Sequence, residues 1–383
     1  MRFHDFVLKN LVRRKLRSLL TISGIAVAVA TVVTLVGISH GLKQSAAEAF
    51  RSHDVDLVVV RAGTMQRMAS SMNEKLARRL AAMPGVAQVV PALTDVVSLG
   101  EEGLIGIPVN GWPAKSHVWD SLRIVAGRRL KADDRACVLL GDLLAQNLEK
   151  RVGETVEIEM KEFNVVGVYE SASVYEGRAA LVLLQDLQRL MDRAGQVSEF
   201  MVVLDRKLSD RKAAIENLRP QVADLRDEEG QPLGLTALPT EQYVSHDMEI
   251  QLAGRMAWST SLIALAIGSV GVLNTMLMSV LERTQEIGVL RAIGWPKARI
   301  VKMIVCESCA LGVAGALLGM GAGVALTAAL SRFPAARGMV RGDTAPGVLA
   351  AGFAVALAMG LAGSLYPACR GAGLHPTEAL RYE

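Results

Sequence analysis

The sequence predicts an α-helical membrane protein with four transmembrane helices and a large α+β extracytoplasmic domain between the first and the second. Of its 383 residues, 51% are hydrophobic and 21% are charged, which is too apolar for an ordinary soluble protein and too charged for membrane helices alone. Four stretches without Asp, Glu, Lys or Arg each exceed the roughly 18–20 residues that cross a bilayer. They are residues 18–42, 256–281, 308–331 and 344–369.

The first apolar stretch could also be a cleaved signal peptide. It extends well past a signal-peptide h-region, however, and shows no clear small-x-small cleavage site before the polar sequence begins. An uncleaved first span at residues 18–42 is therefore favoured. Residues 1–17 are then predicted to form a basic amphipathic helix on the cytoplasmic membrane surface.

The distribution of charge predicts the orientation of the chain. Residues 1–42 carry six Lys or Arg and one acidic residue, with a basic cluster directly before the first span. Because Lys and Arg favour the cytoplasmic side, the N-terminus is expected in the cytoplasm. Three Arg residues in the 332–343 loop argue mildly against placing it outside. The five Lys or Arg at 282–302 and the alternation of the spans outweigh this. The predicted segments are an extracytoplasmic domain at 43–255, spans at 256–281, 299–331 and 344–369, a cytoplasmic coupling helix at 282–298, an extracytoplasmic loop at 332–343 and a cytoplasmic tail at 370–383.

The exported segment is long enough for a hydrophobic core of its own. Runs rich in β-branched residues alternate there with turn formers, which predicts strands at residues 55–61, 87–90, 96–99, 136–140, 156–160, 163–169, 180–184 and 200–204. Apolar residues at helical spacing predict helices at 73–83, 142–150, 184–194 and 210–227. This mixture indicates an α+β domain. Residues 240–255 are expected to form a stalk, so that one rigid helix runs from residue 240 through residue 281.

The charged segment at 282–298 is predicted to be a short amphipathic helix between the second and third spans. Ile287, Leu290 and Gly294 are three and four residues apart and therefore share one face. Gly294, with a proline two residues later, predicts the end of the helix, because Gly tolerates the left-handed C′ position and Pro cannot continue the helix. Such a helix lies on the membrane surface or docks on another protein.

The third span contains Gly315, Gly319 and Gly323, which share one helical face. Small residues at this spacing let two backbones approach closely, so this face is predicted to pack against another helix. Glu307, near the start of the span, is interpreted as interfacial. Since no ionisable residue lies deep in the four apolar stretches, a proton- or ion-driven relay has no evident carrier.

The phosphate-cradling loop G-x-x-x-x-G-K-[ST] and the zinc motif H-E-x-x-H do not occur, and Cys306 and Cys309 have no second ligand pair. We therefore expect no catalytic residues, no bound cofactor and no metal site on this chain, and no nucleic-acid partner. Energy for transport would have to come from a partner protein.

Several segments together suggest a family. Residues 274–294 read N-T-M-L-M-S-V-L-E-R-T-Q-E-I-G-V-L-R-A-I-G, residues 17–24 read R-S-L-L-T-I-S-G, and residues 163–168 read F-N-V-V-G-V. They resemble, in that order, the coupling segment, the first span and the exported core domain of FtsX/MacB-type (type VII) ABC transporter permeases. LolC/LolE- and DevC-like proteins are members of this family. The resemblance covers most of the chain, and the coupling segment is its most specific part.

The resemblance implies a four-span permease with a MacB-like domain between the first and second spans. It further implies a homo- or heterodimer of permeases, served by two copies of a separately encoded ATPase that would bind ATP and Mg. The residues that match the family's ATPase-contacting helix are Glu282, Arg283, Glu286, Ile287, Leu290, Arg291 and Gly294.

The functional hypothesis is a permease subunit, not an enzyme by itself, that couples cytoplasmic ATP hydrolysis to motion of an extracytoplasmic domain, or mechanotransmission. Its expected role is export or extraction of a lipid, lipoprotein, peptide or small hydrophobic compound from the bacterial cytoplasmic (inner) membrane. A periplasmic adaptor or lipoprotein is a further candidate partner. Two alternatives stay open: an FtsX-like signalling permease that activates an extracytoplasmic enzyme without moving cargo, and a scaffold without an ATPase.

Overall fold

The computed structural model of the chain describes residues 15–63, 70–99, 104–171, 173–331 and 345–373. The predicted surface helix at 1–17, apart from its last three residues, lies outside the described residues. So do all of the 332–343 loop and most of the 370–383 tail. The chain divides into a helical unit and a mixed unit, and the mixed unit comprises mainly Gly41–Leu252.

The described residues contain the following elements. The helices are α1 (Lys15–Ser52), α2 (Leu76–Ala81), α3 (Asp142–Leu148), α4 (Val174–Gly177), α5 (Leu184–Leu190), α6 (Arg211–Ala223), α7 (Thr240–His246), α8 (Met248–Glu282), α9 (Thr284–Ala292), α10 (Lys297–Leu330) and α11 (Pro346–Gly373). The strands are β1 (Leu57–Arg61), β2 (Met72–Asn73), β3 (Val86–Leu99), β4 (Leu104–Trp112), β5 (Arg123–Gly127), β6 (Cys137–Gly141), β7 (Thr155–Ile158), β8 (Lys161–Glu170), β9 (Ala180–Leu183), β10 (Gln196–Val197), β11 (Glu199–Leu204) and β12 (Leu235–Pro239).

Four of these helices, α1, α8, α10 and α11, are long and apolar enough to cross a membrane, which confirms the predicted spans. They form a bundle whose core includes Ile25, Val272, Ile304 and Met359. Their outward faces carry exposed apolar side chains such as Leu262. Exposed leucines on a soluble surface would be unfavourable, whereas lipid covers such a face at no cost.

The helix α1 is longer than the apolar stretch that predicts it. It continues through Lys43, Glu48 and Arg51 to Ser52, and its last twelve residues, 41–52, belong to the mixed unit. Lys, Glu and Arg are good helix formers. The first charge after the apolar stretch therefore marks the end of the membrane-compatible sequence and not the end of the helix.

The predicted continuous helix from residue 240 through residue 281 is wrong. The chain leaves the helical conformation at Asp247, whose ψ of 125° separates α7 from α8. The Asp247 carboxylate accepts a hydrogen bond from the backbone N–H of Ile250 at 3.3 Å. Asp at an N-cap satisfies a backbone donor that has no partner inside the helix, so this side chain starts a new helix.

The mixed unit is built on a sheet with the strand order β12-β1-β11-β3-β4-β9-β6-β8-β5, and β7 pairs with β3 and β8. The β4–β9 and β6–β8 pairs are parallel, and the other pairs of this sheet are antiparallel. One face buries residues such as Leu140 and Phe200 beneath helices, and a second core contains Trp112, Trp119 and Tyr169. The α+β class predicted for this segment is confirmed.

Candidate coupling site

The predicted coupling helix exists as α9, a short helix separated from α8 by a single residue. Arg283 departs from helical geometry with φ −110° and ψ 18°. Its backbone N–H still donates to the carbonyl of Val280 at 3.2 Å, and the Thr284 hydroxyl donates to the carbonyl of Leu281 at 2.7 Å. The chain therefore bends at Arg283 without leaving its backbone polar groups unsatisfied.

Gly294 ends α9 as the sequence predicts. Its φ of +100° lies in the left-handed region that favours glycine. The N–H of Gly294 donates to the carbonyl of Arg291 at 3.1 Å, and the N–H of Trp295 donates to the carbonyl of Leu290 at 3.1 Å. These two bonds form a Schellman motif, which satisfies the last carbonyls of the helix.

The apolar face of α9 is turned into the bundle. Ile287 is 2% exposed and belongs to the bundle core, and Leu290 is partly buried against the same core. The side chain of Ile287 reaches α11, where it lies 3.7 Å from the position that a Cβ on Gly371 would occupy. Ile287 and Leu290 therefore hold α9 against its own bundle, whereas Gly294 is exposed.

The exposed face of α9 carries residues that the sequence reading did not select. Val289 is 44% exposed and Ile293 is 72% exposed. The half-exposed carboxylate of Glu286 lies on the same side, because residues 286, 289 and 293 are three and four apart. Periodicity alone does not say which of two apolar faces is buried. The signal in the sequence for a second apolar face is the pair Val289 and Ile293, which lies on the same side as the charged Glu286.

Arg283 joins two acidic side chains. Its Nε lies 3.1 Å from Oε2 of Glu286 on α9, and its Nη1 lies 3.1 Å from Oε2 of Glu307 on α10. Arg283 is 8% exposed and Glu307 is 7% exposed. Glu307 is therefore not at an interface with solvent or lipid, as the sequence suggested, but forms a buried ion pair with the residue at the start of α9.

A second ion pair lies nearby, between Arg17 on α1 and Glu282 at the end of α8. Both side chains of this pair are partly exposed. A cavity of about 230 Å³ adjoins the two ion pairs and is bordered by Arg17, Arg283, Glu286 and Glu307. Four hydroxyl side chains also border it: Ser18, Thr21, Thr275 and Ser279. Polar walls and this volume suit several water molecules.

Beyond α9, Trp295 connects the turn to the next helix. Nη1 of Arg291 donates to the carbonyl of Trp295 at 2.9 Å. The guanidinium of Arg299 lies 4.5 Å from the centroid of the Trp295 ring, which is a cation–π contact. The turn that links α9 to α10 is therefore held by contacts at both of its ends.

The three predicted packing glycines face α1. A Cβ added at Gly315 would lie 2.7 Å from Cβ of Ile25, and one at Gly319 would lie 2.6 Å from the carbonyl oxygen of Ala26. One at Gly323 would lie 2.9 Å from Cβ of Val33. Such distances leave no room for a side chain, so the α1–α10 approach requires glycine at these positions.

In the mixed unit a buried polar cluster surrounds His53. Its Nε2 lies 2.5 Å from Oε1 of Glu176, and its Nδ1 lies 2.6 Å from the Ser121 hydroxyl. The other oxygen of Glu176 accepts from the Ser171 hydroxyl at 2.6 Å. The Tyr169 hydroxyl donates to the Glu176 carbonyl at 2.7 Å, and burial raises the pKa of this phenol well above its ordinary value. Among the described residues, no group of three His, Cys, Asp or Glu side chains is arranged to hold a metal ion.

Comparison with known proteins identifies the chain's family. A model of the MacB-like periplasmic core domain matches residues 18–221, and a model of the FtsX-like permease C-terminal region matches residues 258–376. The chain belongs to the MacB/FtsX family of ABC transporter permeases. It is a multi-pass membrane protein, its mixed unit is the large extracytoplasmic domain of this family, and neither match places a catalytic domain on it.

Individual relatives agree with this assignment. The chain is 26% identical over 402 residues to the macrolide export ATP-binding/permease protein MacB of Bdellovibrio bacteriovorus, covering 98% of this chain and 61% of that protein. It is 26% identical over 403 residues to an uncharacterised ABC transporter permease of Methanocaldococcus jannaschii, covering 99% of this chain and 97% of that protein. A crystal structure of the periplasmic region of MacB from Actinobacillus actinomycetemcomitans matches with 15% identity and a TM-score of 0.40, covering 52% of this chain and 95% of that structure.

Proposed function

We propose that this permease works with a separate ABC ATPase that docks on the exposed face of α9, and that ATP-driven movement of this helix moves the extracytoplasmic domain. The observation that carries the proposal is the face formed by Glu286, Val289 and Ile293. It presents two exposed apolar side chains beside a carboxylate on a helix whose other apolar face is already buried. An apolar patch with a polar rim is typical of a protein interface.

The relatives support a separate ATPase. The Methanocaldococcus relative is a permease of nearly the same length as this chain, whereas the Bdellovibrio relative is named as an ATP-binding/permease protein, of which this chain spans 61%. We propose that ATP and Mg are bound by two copies of the partner ATPase. Two permease chains, identical or different, would complete the complex in the cytoplasmic (inner) membrane of a bacterium.

The proposed activity is export or extraction of a lipid, lipoprotein, peptide or small hydrophobic compound. The apolar stretches at 18–42, 256–281, 308–331 and 344–369 contain no charged residue. They therefore offer no charged path for cargo to cross from the cytoplasm. This favours entry of the cargo from the outer leaflet or from the extracytoplasmic side, where the large domain lies.

The test uses the exposed face itself. Val289→Asp and Ile293→Asp introduce charge where an apolar partner surface would have to pack, whereas the buried face of α9 is left intact. We expect the tagged full-length permease to lose co-purification of the ATPase in mild detergent and to lose ATP turnover. Met160→Asp makes the same apolar-to-acidic change at a fully exposed position of the extracytoplasmic domain and should retain both.

Retention of the ATPase by both α9 variants would contradict docking on this face. If the wild-type chain co-purifies with no ATPase, the proposed function as a whole is contradicted. The remaining hypothesis is then a membrane scaffold without an ATPase. Native mass spectrometry of the same complex identifies bound lipid, lipoprotein or adaptor and distinguishes a homodimer from a heterodimer. If an extracytoplasmic hydrolase stimulates ATP turnover and no cargo does, the result favours the signalling hypothesis over the export hypothesis.

A further inference from the structure

The extracytoplasmic domain contains a cavity that is larger than the one in the helix bundle. It measures about 570 Å³, a size suited to a small-molecule ligand. The residues that border it come from the end of β1, from β2 and α2, and from the segment that leads into β12. Its lining contains three kinds of side chain: the cationic Arg61, Lys75 and Arg79; the acidic Asp227, Glu228 and Glu229; and the apolar Met72, Leu76, Leu233 and Leu235.

The two signs of charge come from separate parts of the domain. The cations extend from β1 and from the region of α2, whereas the three acidic residues are consecutive in sequence and form what we call the acidic wall. Within the part of the chain that the structure describes, no carboxylate of the acidic wall is paired with one of these cations, and Lys75, Glu228 and Glu229 have no side-chain partner at all. Opposite charges that border one cavity without touching leave room for a ligand that carries both signs.

Hydrogen bonds hold the acidic wall in place. Oδ1 of Asp227 accepts from the backbone N–H groups of Glu229 at 3.0 Å and Gln231 at 2.7 Å. Nη1 of Arg79 donates to the carbonyl of Arg226 at 2.7 Å, which ties α2 to the segment that carries this wall. A wall that is ordered before the ligand arrives loses less conformational entropy on binding.

The remaining lining limits which kind of zwitterion fits. Met72, Leu76 and Leu235 are only 5%, 9% and 4% exposed, so they offer little area to an acyl chain. Covering the charged lining with such a chain would also be costly. Asn73 borders the cavity, and its Oδ1 accepts from the N–H of Lys75 at 3.0 Å. The NH₂ group of this amide can therefore donate to a carbonyl, which favours a compact peptide over a lipid.

We propose that this cavity binds a short zwitterionic peptide as cargo on the extracytoplasmic side. A carboxylate of the peptide pairs with Lys75, an ammonium group pairs with the acidic wall at Glu228 and Glu229, and Asn73 donates to a peptide carbonyl. The role as cargo rests on the proposed function, in which cargo enters from the extracytoplasmic side. Binding itself requires no ATPase, so the permease alone is sufficient to measure it.

The experiment measures peptide binding to the full-length permease in mild detergent by isothermal titration calorimetry. The probes are peptides with free termini that have lysine first, glutamate last and one, two or three leucines between them. The reference peptides keep the leucines but have serine at both ends and blocked termini. At least one probe should bind, and its reference should bind roughly four- to twenty-five-fold more weakly, because each of two exposed ion pairs contributes about a two- to fivefold factor.

Variants then remove the charges of the cavity at exposed positions. Lys75→Gln should weaken binding of the zwitterionic probe by roughly two- to fivefold, and so should Glu228→Gln combined with Glu229→Gln. The controls make the same changes on the β7–β8 hairpin, outside the cavity lining, and should bind like the wild type. They are Lys161→Gln, and Glu157→Gln combined with Glu162→Gln.

A charge reversal separates direct contact from an indirect effect on the fold. Lys75→Glu makes the lining more acidic, so it should weaken binding of the zwitterionic probe. It should also strengthen binding of a peptide with lysine at both ends and an amidated C-terminus, by roughly two- to fivefold relative to the wild type. A disturbed fold would weaken the binding of both peptides.

The outcomes distinguish this inference from the proposed function. If no zwitterionic probe binds the wild type, or if Lys75→Gln and Lys161→Gln bind it equally, the inference is overturned and docking on α9 is unaffected. If glycerophosphoethanolamine, the soluble headgroup of a zwitterionic lipid, binds through Lys75 and the peptides do not, the peptide is again overturned.

The role as cargo has its own readout. In the complex with the ATPase, the probe that binds should stimulate ATP turnover in the wild type and less so in Lys75→Gln. If the probe binds but leaves turnover unchanged, its assignment as cargo is overturned. If the wild type binds the probe but no ATPase, the proposed function fails and the peptide site stands.

Discussion

Two buried polar pairs, Arg283–Glu307 in the helix bundle and His53–Glu176 in the extracytoplasmic domain, differ in how completely their neighbours satisfy them. Both ring nitrogens of His53 and both carboxylate oxygens of Glu176 have close hydrogen-bond partners. Arg283 instead divides its contacts between a buried and a half-exposed carboxylate, beside a cavity of about 230 Å³. A saturated network has one arrangement, and a network beside a cavity has more than one. We therefore expect the His53 pair to contribute more to stability than the Arg283 pair.

The largest effect on stability is expected for Glu176→Ala. It leaves Nε2 of the His53 ring and the Ser171 hydroxyl without the Glu176 carboxylate as acceptor, in a site where His53 and Glu176 are each only 4% exposed. Loss of one member of such a network costs about 3–5 kcal/mol. The midpoint of thermal unfolding of the purified full-length protein should fall accordingly, and below that temperature the ATPase should still co-purify.

A matched control lies on the adjacent strand β8. Glu170 pairs with Arg123 on the surface, and such exposed pairs contribute only about 0–1 kcal/mol. Glu170→Ala should therefore leave the unfolding midpoint almost unchanged. If both variants lower the unfolding midpoint equally, the buried His53 network contributes no more to stability than an exposed ion pair does. This outcome would contradict the comparison.

The second effect concerns the steric contact of α10 with α1, which carries no charge. Gly319→Leu places a side chain where a Cβ alone would lie 2.6 Å from the carbonyl oxygen of Ala26. Overpacking of this kind costs about 1–3 kcal/mol. Gly321→Leu is the matched control, because a Cβ there meets no atom within 4 Å. If Gly319→Leu lowers the unfolding midpoint no more than Gly321→Leu does, the close approach of α10 to α1 does not depend on glycine at position 319.

The length of the stretches without charged residues predicts the four spans, because a helix that crosses the bilayer core must be predominantly apolar over that length. The same criterion fails at the helix ends, where α1 continues through charged residues and α8 starts anew at Asp247. In the extracytoplasmic domain, β4 escapes prediction because Gly106, Pro108 and Gly111 disfavour strands. Gly111 is needed there, since a Cβ would lie 3.0 Å from Leu187.

The position of α9 follows from the local sequence, but the face that it buries does not. The apolar spacing of Ile287 and Leu290 locates a helix face, and Gly294 locates the helix end, both from local sequence. Which apolar residues are buried depends on the packing of α9 against α11, which no local pattern encodes. Glu307 is missed for the same reason, because its partner lies 24 positions away along the chain.

The third effect is the stability loss of Glu307→Gln, which we expect to be smaller than that of Glu176→Ala. Arg283 keeps Glu286, and the amide oxygen of Gln can still accept from Nη1, so no charge is left wholly uncompensated. The expected cost is about 1–2 kcal/mol. Thermal unfolding of the two variants under the same conditions checks the order. A loss as large as that of Glu176→Ala would show that Arg283–Glu307 is a structural pair like His53–Glu176.

The smallest effect is expected at a partly exposed ion pair on the surface, which serves as a reference for the buried pairs. Arg128 contacts both carboxylate oxygens of Asp134 at 2.6 and 2.8 Å. The side-chain hydrogen bond from Arg128 lowers the pKa of Asp134, opposed by burial and aided by the N–H of Lys131. A carboxyl whose pKa is depressed in the folded state contributes stability above its unfolded pKa of about 3.9 and loses it as the pH falls through the folded value. Asp134→Asn should thus lower the unfolding midpoint slightly at pH 7. This difference from the wild type should begin to shrink below about pH 4 and vanish once the pH has fallen below the folded pKa of Asp134. A difference that persists in acid would point to the backbone contact with Lys131 as the stabilising interaction, and not to charge.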